Sequence, residues 1–392
     1  LPMPDGREPL TIKVLPTIGE VDPGAWDACA GSDPFTSHGF LSALEESGSS
    51  TAETGWLPQH LAVEDHAGGL QAVAPLYLKN HSYGEYVFDW GWADAYERAG
   101  GKYYPKLQSA VPFTPITGRR LLVRGDTGDA RCAELETALL DGMVQLADRI
   151  GVSSLHITFP TKSEWKTHGQ HRLLQRVGEQ FHWQNRGYAS FDDFLSDLAS
   201  RKRKQIRKER NAVTKENLTI LTLTGNDIEE HHWDAFYRFY CNTSDRKWGS
   251  SYLKRAFFSL LSERAGDKVV LFMVENDQGP VAGALNLIGG DTLYGRNWGC
   301  DEHYKFLHFE TCYYQAIQFA IEHKLNWVEA GAQGPHKLQR GYLPRRTYSL
   351  HWIADPGFRD AVEQFLADER RGIEREITYL GHHSPFRNRD ND

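Results

Sequence analysis

The chain has 392 residues, of which 40% are hydrophobic and 24% charged, too many for one ordinary core and suited to two folded domains of similar size. A net charge of −8 argues against a protein dedicated to coating nucleic acid, although it leaves room for a local basic patch. No apolar run approaches the length of a membrane span, and Leu1-Pro-Met-Pro-Asp5 lacks the pattern of a signal peptide. The five cysteines are an odd number without a Cys-x-x-Cys pair, and the 17 histidines include no His-Glu-x-x-His spacing. The expectation is a cytoplasmic protein with reduced thiols and no metal site.

In chain order, the first strong signal is a hairpin. His60-Leu-Ala-Val-Glu-Asp65 is followed by a His-Ala-Gly-Gly turn and then Leu70-Gln-Ala-Val-Ala-Pro-Leu-Tyr77. Glu134 to Ile150 has helical periodicity and leads into Leu155-His-Ile-Thr-Phe159. Ser190 and Asp193 form an N-capping arrangement for a helix, and the basic run Arg201–Arg210 follows. On that segment Leu195, Leu198 and Ile206 are expected to share one buried face.

The second half repeats the order. Val269-Val-Leu-Phe-Met-Val-Glu-Asn276, a Gly-containing turn and Val281-Ala-Gly-Ala-Leu-Asn-Leu-Ile288 make a second hairpin. The helical stretch Phe309–His323 then leads into Asn326-Trp-Val-Glu-Ala330. The two Val-Glu-Asp/Asn-x-x-Gly turns align without a gap. Both halves therefore read as helix, hairpin, further strand, long helix and strand, a tandem α+β protein. The segment from Asp360 is helical in pattern and ends in a polar tail, Arg387–Asp392, expected to fray.

The densest cluster of chemistry-bearing residues is Glu329 to Tyr342. Gly331, Gly334 and Gly341 flank Gln333, His336, Lys337 and Arg340. Glycines after a strand permit tight turns and close backbone approach to a ligand. His336 suits a proton shuttle near neutral pH, and Lys337 or Arg340 could hold a phosphate or carboxylate. A Gly-rich loop capping a strand, with ordinary surface charges, is the bland alternative. Glu310 reads either as a partner of a helix N-terminus or as a general base, and Glu329 either as a catalytic carboxylate or as half of a structural ion pair. Asp89, Trp90, Trp92, Asp94 and Tyr96, with Tyr103, Tyr104 and Lys106, suit a cationic amine stacked on Trp or equally a domain interface. No Gly-x-Ser-x-Gly elbow suggests a covalent intermediate.

The stretch from Phe194 to Trp248 resembles the Fem peptidyltransferases and related GNAT-like acyltransferases. The resemblance rests on the basic helix Leu198-Ala-Ser-Arg-Lys-Arg-Lys-Gln-Ile-Arg-Lys208, the aromatic helix Trp233-Asp-Ala-Phe-Tyr-Arg-Phe-Tyr240 and the basic element Asp245-Arg-Lys-Trp-Gly249. Two further segments resemble the narrower FemAB-like group of N-acyltransferases: Asp89-Trp-Gly-Trp-Ala-Asp-Ala-Tyr96 with Tyr103-Tyr-Pro-Lys-Leu107 and Val111-Pro-Phe-Thr-Pro115, and Glu329–Tyr342. Together these cover most of the chain, from about Phe35 to about Pro356.

The resemblance implies two GNAT domains, expected at 10–189 and 190–380, each a mostly antiparallel twisted sheet flanked by helices. It implies acyl or aminoacyl transfer to an amine of a small-molecule or cell-wall-precursor acceptor, in a cleft between the two repeats. The alternative is a GNAT pair that binds a ligand without chemistry. His336, Lys337, Glu310 and Glu329 are the candidate catalytic groups. Asp89, Trp90, Tyr104, Lys106, Trp298, Gln333 and Arg340 are candidate substrate contacts, and Arg203 and Arg207 are candidate phosphate grips.

The chain departs from the acetyl-CoA-using GNAT pattern at the phosphate turn. Asp301-Glu-His-Tyr-Lys-Phe-Leu-His-Phe-Glu310 has no glycine, and Gly125-Asp-Thr-Gly128 in the first half is flanked by acids that would repel a pyrophosphate. No permanently bound cofactor is expected. The donor is aminoacyl-tRNA, as in the Fem family, or acyl-CoA, against which the missing turn counts.

Overall fold

The computed structural model describes residues 10–169, 173–248, 251–331 and 334–387. Two compact units result, Leu1–Gly178 with Thr347–Ile373, and Glu179–Arg346 with Glu374–Asp392. This interleaved division differs from the contiguous halves 10–189 and 190–380 expected above.

The first unit begins with β1 (Thr11–Leu15), α1 (Pro23–Ala30), α2 (His38–Glu46), β2 (Trp56–Pro58), β3 (His60–Glu64), β4 (Leu70–Ala74) and β5 (Tyr77–Lys79). It continues with α3 (Trp90–Arg98), β6 (Lys106–Ser109), β7 (Leu122–Val123), α4 (Asp129–Ile150), β8 (Ser154–Thr158) and α5 (Lys162–His168). β9 (Leu174–Gln184) then carries the chain into the second unit. The expected hairpin is β3–β4, antiparallel, and it lies in a sheet of order β1-β3-β4-β7.

The other strands of this unit pair as β2-β5-β6-β8, and here β6 and β8 run parallel. Period-two alternation sends Leu78, Leu107, Leu155 and Ile157 to one face. Leu107, Leu155 and Ile157 there join a core with Leu135, Leu139 and Met143 of α4. α4 stops at Gly151, whose left-handed conformation (φ 68°, ψ 38°) a residue with a Cβ would adopt only at a cost.

The second unit contains α6 (Phe191–Asp197), α7 (Ser200–Val213), β10 (Thr219–Thr224), α8 (Glu230–Trp248), α9 (Arg255–Ala265), β11 (Val269–Asn276), β12 (Gly279–Gly289) and β13 (Thr292–Cys300). After β13 come α10 (Leu307–Phe309), a π-helical turn (Glu310–Tyr314), α11 (Gln315–Glu322), β14 (Trp327–Glu329) and a 3-10 turn (Pro335–Arg340). Its strands pair as β10-β11-β12-β13-β14, followed by the end of β9. All of these pairings are antiparallel except β13 with β14.

Ser190 caps α6 by accepting from the Asp193 N–H at 3.1 Å, as its sequence position implied. The helix capped by Ser190 and the basic helix, expected at 198–210, are separate elements, because Leu198 is extended (φ −86°, ψ 151°) and α7 starts at Ser200. Leu195, Leu198 and Ile206 are nonetheless all buried in one core with Phe194, Ile317 and Val328.

β15 (Leu343–Ile353) and α12 (Pro356–His382) complete the chain. The end of β15 pairs antiparallel with β8, Ser349 opposite Thr158 and His351 opposite His156, and this pairing returns residues from Thr347 onward to the first unit. Each unit thus has antiparallel strands leading into one parallel pair, the GNAT arrangement, and the protein is a tandem GNAT-like α+β fold.

Candidate functional site

In the second unit, β13 and β14 run side by side only from Thr292 to Tyr294, opposite Trp327 to Glu329. β13 then continues to Cys300, and its register against β12 shifts, with Gly295 opposite Asn286 but Asn297 opposite Leu285. The shift leaves Arg296 as the extra residue of a bulge, and bulges re-aim backbone groups beside active sites. A Cβ on Gly295 would lie 3.2 Å from the Glu329 carbonyl, so glycine suits the place where the two strands stop pairing. Near this divergence Asn297 Oδ1 is buried without a hydrogen-bond partner among the described residues.

The loop after β14 carries the densest part of the predicted site. Gly331, Gly334 and Gly341 all have positive φ, at 79°, 125° and 90°, and allow the chain to wind into the 3-10 turn. That turn buries Lys337 to 1% exposure, and its ammonium donates to the Gly331 carbonyl at 2.7 Å. Burial pulls the Lys337 pKa down to about 8. His336 is exposed, and its Nε2 shares a 2.9 Å hydrogen bond with the Tyr313 hydroxyl. Tyr313 belongs to the π-helical turn, a feature that often marks functional positions in helices.

Two of the remaining charged candidates of this unit, Glu310 and Arg340, are paired with groups of opposite charge. Glu310 receives Arg210 at 3.0–3.2 Å and the Gln315 amide at 2.8 Å, so it is half of an ion pair. Its assignment as a general base is not what the geometry provides. Arg340 is buried and donates through Nη2 to both oxygens of Glu209, while its guanidinium lies 3.5 Å from the Phe309 ring centroid. It braces the 3-10 turn against α7 and is not presented as a phosphate grip. Glu329 is 3.6 Å from His182 Nδ1, and burial lowers the His182 pKa to about 3, so that ring is neutral at ordinary pH.

Trp298 stands edge-on to His308, ring centroids 5.4 Å apart. Arg207 points to solvent and pairs with the exposed Asp192 at 3.1 Å, whereas Arg203 is half-buried. Gln333 lies outside the described residues. Glu209, Arg210 and Tyr314 were not singled out from sequence, although they tie α7 to the loop and the π turn. Their only signal was position: Ile206, Glu209 and Val213 recur at helical spacing, and that is the face α7 buries.

The candidates of the first unit form a cluster of their own. Lys106 is fully buried and donates to Ser82 Oγ at 2.8 Å, Glu85 Oε2 at 2.7 Å and Asp89 Oδ2 at 2.5 Å. Burial works against the Lys106 charge, but Asp89 and Glu85 outweigh it and the net shift is upward. Burial would likewise raise Asp89, yet Lys106 holds its carboxyl well below the usual carboxylate range. Tyr104 shares a 2.8 Å hydrogen bond with Ser82, and Trp90 is exposed with its ring 4.9 Å from that of Tyr83. The Tyr103 hydroxyl donates to Asp89 at 2.7 Å and lies 3.3 Å from His156.

Sequence reading did not bring Lys79, Glu85, His156 and His351 into this group. Lys79, His156 and His351 occupy the polar face of the β5-β8-β15 strands, where their alternation with apolar residues was the available signal, whereas Glu85 lies in the loop between β5 and α3.

A family profile described as peptidoglycan biosynthesis and recognition, FemAB-like, matches residues 17–388. None of the curated proteins matches the chain. Among solved structures, one titled FemX is similar at TM-score 0.54 and 13% identity, covering 88% of this chain and 98% of that one. L-PGS from Bacillus licheniformis is similar at TM-score 0.50 and 11% identity, over 86% and 97% of the two chains. The C-terminal domain of a lysylphosphatidylglycerol synthetase homologue from Agrobacterium fabrum matches at TM-score 0.54 and 8% identity, over 88% and 96%. At these identities the likeness concerns the fold. Among the described residues no helix is long and apolar enough to cross a membrane.

Proposed function

Because the chain belongs to the FemAB-like family of peptidoglycan biosynthesis and recognition, we propose that it is an N-acyltransferase, moving an acyl or aminoacyl group onto an amine of a small-molecule or cell-wall-precursor acceptor. The observation that carries this reading is Lys337. Its ammonium is almost wholly buried and, among the described residues, donates to one carbonyl, that of Gly331. An ammonium has three N–H donors, so Lys337 retains donors for a developing oxyanion in a site of low polarity.

The chemistry follows from those parts. The acceptor's neutral amine attacks the acyl carbonyl, and negative charge grows on the carbonyl oxygen. Lys337 and the backbone N–H groups at the Arg296 bulge of β13 receive that charge. As the tetrahedral species collapses, Lys337, with a pKa of about 8, gives a proton to the departing oxygen or sulfur of the donor. His336, exposed and held by Tyr313, takes the surplus proton from the new amide nitrogen and passes it to solvent. Solvent then reprotonates Lys337.

An aminoacyl ester of tRNA fits the donor side better than an acyl-CoA. The turn after β13 carries Asp301 and Glu302 where a pyrophosphate would need glycine and bare N–H groups. Arg203 and Arg207 are the proposed contacts to donor phosphates. Asp89, Trp90, Tyr104 and Lys106 are the proposed acceptor contacts of the first unit.

The reading is tested by thermal shift against CoA, acyl-CoAs, UDP-linked precursors and deacylated tRNA, together with turnover in Lys337→Met. A ligand at about a hundred times its dissociation constant adds roughly 2.7 kcal/mol. A shift with tRNA or a precursor and loss of turnover in the variant are expected. Near-normal turnover in Lys337→Met overturns the assignment. The engagement of Glu310 by Arg210 and of Arg340 by Glu209 favours a second reading, a ligand-binding module without chemistry. Precursor binding by a wild-type protein that transfers nothing would select it.

A further inference from the structure

The buried cluster of the first unit contains acceptors that its own residues do not satisfy. Glu85 and Asp89 each direct one oxygen at the Lys106 ammonium, at 2.7 and 2.5 Å. Their second oxygens, Glu85 Oε1 and Asp89 Oδ1, are buried without a hydrogen-bond partner among the described residues. Both side chains are at most 3% exposed, and a buried carboxylate oxygen left unpaired is costly.

Lys79 stands beside them. Its Nζ is 3.8 Å from Glu85 Oε1 and 3.6 Å from the Trp56 ring centroid, and its one hydrogen bond among the described residues is a long 3.3 Å donation to the Tyr83 carbonyl. Burial draws the Lys79 pKa down to about 6, so at neutral pH the group is mainly an amine with a lone pair to offer. Glu85 is raised by the same burial to about 7 and gains from any added positive charge. Two carboxylate oxygens and one amine nitrogen are three acceptors in a cluster whose one firm cation, Lys106, is already engaged.

We propose that this cluster is a binding site for a primary ammonium group, whose three N–H donors go to Glu85 Oε1, Asp89 Oδ1 and Lys79 Nζ. A hydroxyl brings one donor and no charge, and a quaternary ammonium brings charge and no donor. Tyr83, Phe88 and Trp90, on the same short stretch of chain as Glu85 and Asp89, are exposed aromatics, a kind of surface suited to the aliphatic stem of an alkylammonium and to its charge. This inference rests on the transferase reading, which already places acceptor contacts at Asp89 and Trp90, and it is read by binding alone, so its failure is distinct from a loss of turnover at Lys337.

The experiment is saturation-transfer NMR on the intact protein with n-butylammonium, n-butanol and tetramethylammonium as probes. Saturation transfer to n-butylammonium, with little to the other two, is the expected result. Glu85→Gln removes one charged acceptor and is expected to weaken n-butylammonium binding about tenfold or more. Equal binding of n-butanol or tetramethylammonium would reduce the site to an aromatic surface and overturn the proposal, as would no binding of n-butylammonium. The comparison of probes on the unaltered protein decides the matter even if Glu85→Gln does not fold. An unchanged affinity in a folded Glu85→Gln protein also overturns it.

Discussion

His156 and His351 face one another with their Nδ1 atoms 2.6 Å apart, although 195 residues separate them in the chain. One ring must donate and the other accept, so the two cannot both be protonated, and each anchors its far nitrogen on a serine, Ser154 or Ser349, at 2.8 Å. Burial lowers the His156 pKa to about 3 and His351 well below the usual histidine range. His182 is lowered to about 3 by the same cause.

The acid side of the stability profile follows with its sign. The three histidines have folded pKa values below the unfolded value of about 6.5, so between roughly pH 6.5 and pH 3 the unfolded state binds more protons. Stability then falls as pH falls, by about 4 kcal/mol per pH unit when all three contribute. Urea midpoints measured from pH 7 to pH 5 are expected to drop steeply below pH 6.5. A flat profile across that range contradicts neutral burial of these rings.

Lys337 is predicted to trade stability for function. Its folded pKa of about 8 lies below the unfolded value of about 10.4, so the charged side chain is a penalty that is fully present below pH 8 and vanishes as pH rises past 10. Lys337→Met is expected to raise stability at pH 7 by about 1–3 kcal/mol while abolishing turnover. Chemical denaturation and a transfer assay on the same preparation check both halves. A destabilised variant would mean that the bond to Gly331 matters more than the buried charge.

Arg340 is expected to behave as a structural brace. Arg340→Met strands the Glu209 carboxylate in a buried setting and is expected to cost about 3–5 kcal/mol. Adding Glu209→Leu should recover most of that loss, because a pair replaced by apolar groups leaves no buried charge alone. A double variant no more stable than the single one would argue that Arg340 acts through some other contact.

On the outer face of α7 the outcome is the opposite. The Arg207–Asp192 pair is exposed on both sides, and Arg207→Ala is expected to change stability by less than about 0.5 kcal/mol. If Arg203 and Arg207 contact donor phosphates, their joint replacement should instead flatten the salt dependence of tRNA binding. Titrations at several salt concentrations compare the slopes directly.

Much of the fold was legible in the residues. The two hairpins, the long helices before β8 and β14, and the Ser190 cap follow from local rules of turn chemistry, capping and period, which act over a few neighbours. The Gly-rich loop after Glu329 also announced itself, since three glycines among charged residues require special backbone. The break at Leu198 was not visible, because its helical spacing satisfied the pattern whether or not the helix was continuous.

What only the tertiary structure decided was the fate of the polar side chains. In β6, Lys106-Leu-Gln-Ser109 alternates as a half-exposed strand would, yet all four residues are buried. The strand period assigns side chains to two faces, but it carries no information on what covers each face. Here α3 and α12 close over the polar side with Trp92, Phe358 and Val362, turning an apparent solvent face into a buried charge cluster. The same limit governed the second unit. Sequence located His336, Lys337 and Arg340 together in one loop, and packing alone separated them into an exposed histidine, a buried amine and a guanidinium bound to Glu209. Charge pairing and desolvation are set by partners a hundred or more residues away, as Glu209 is from Arg340.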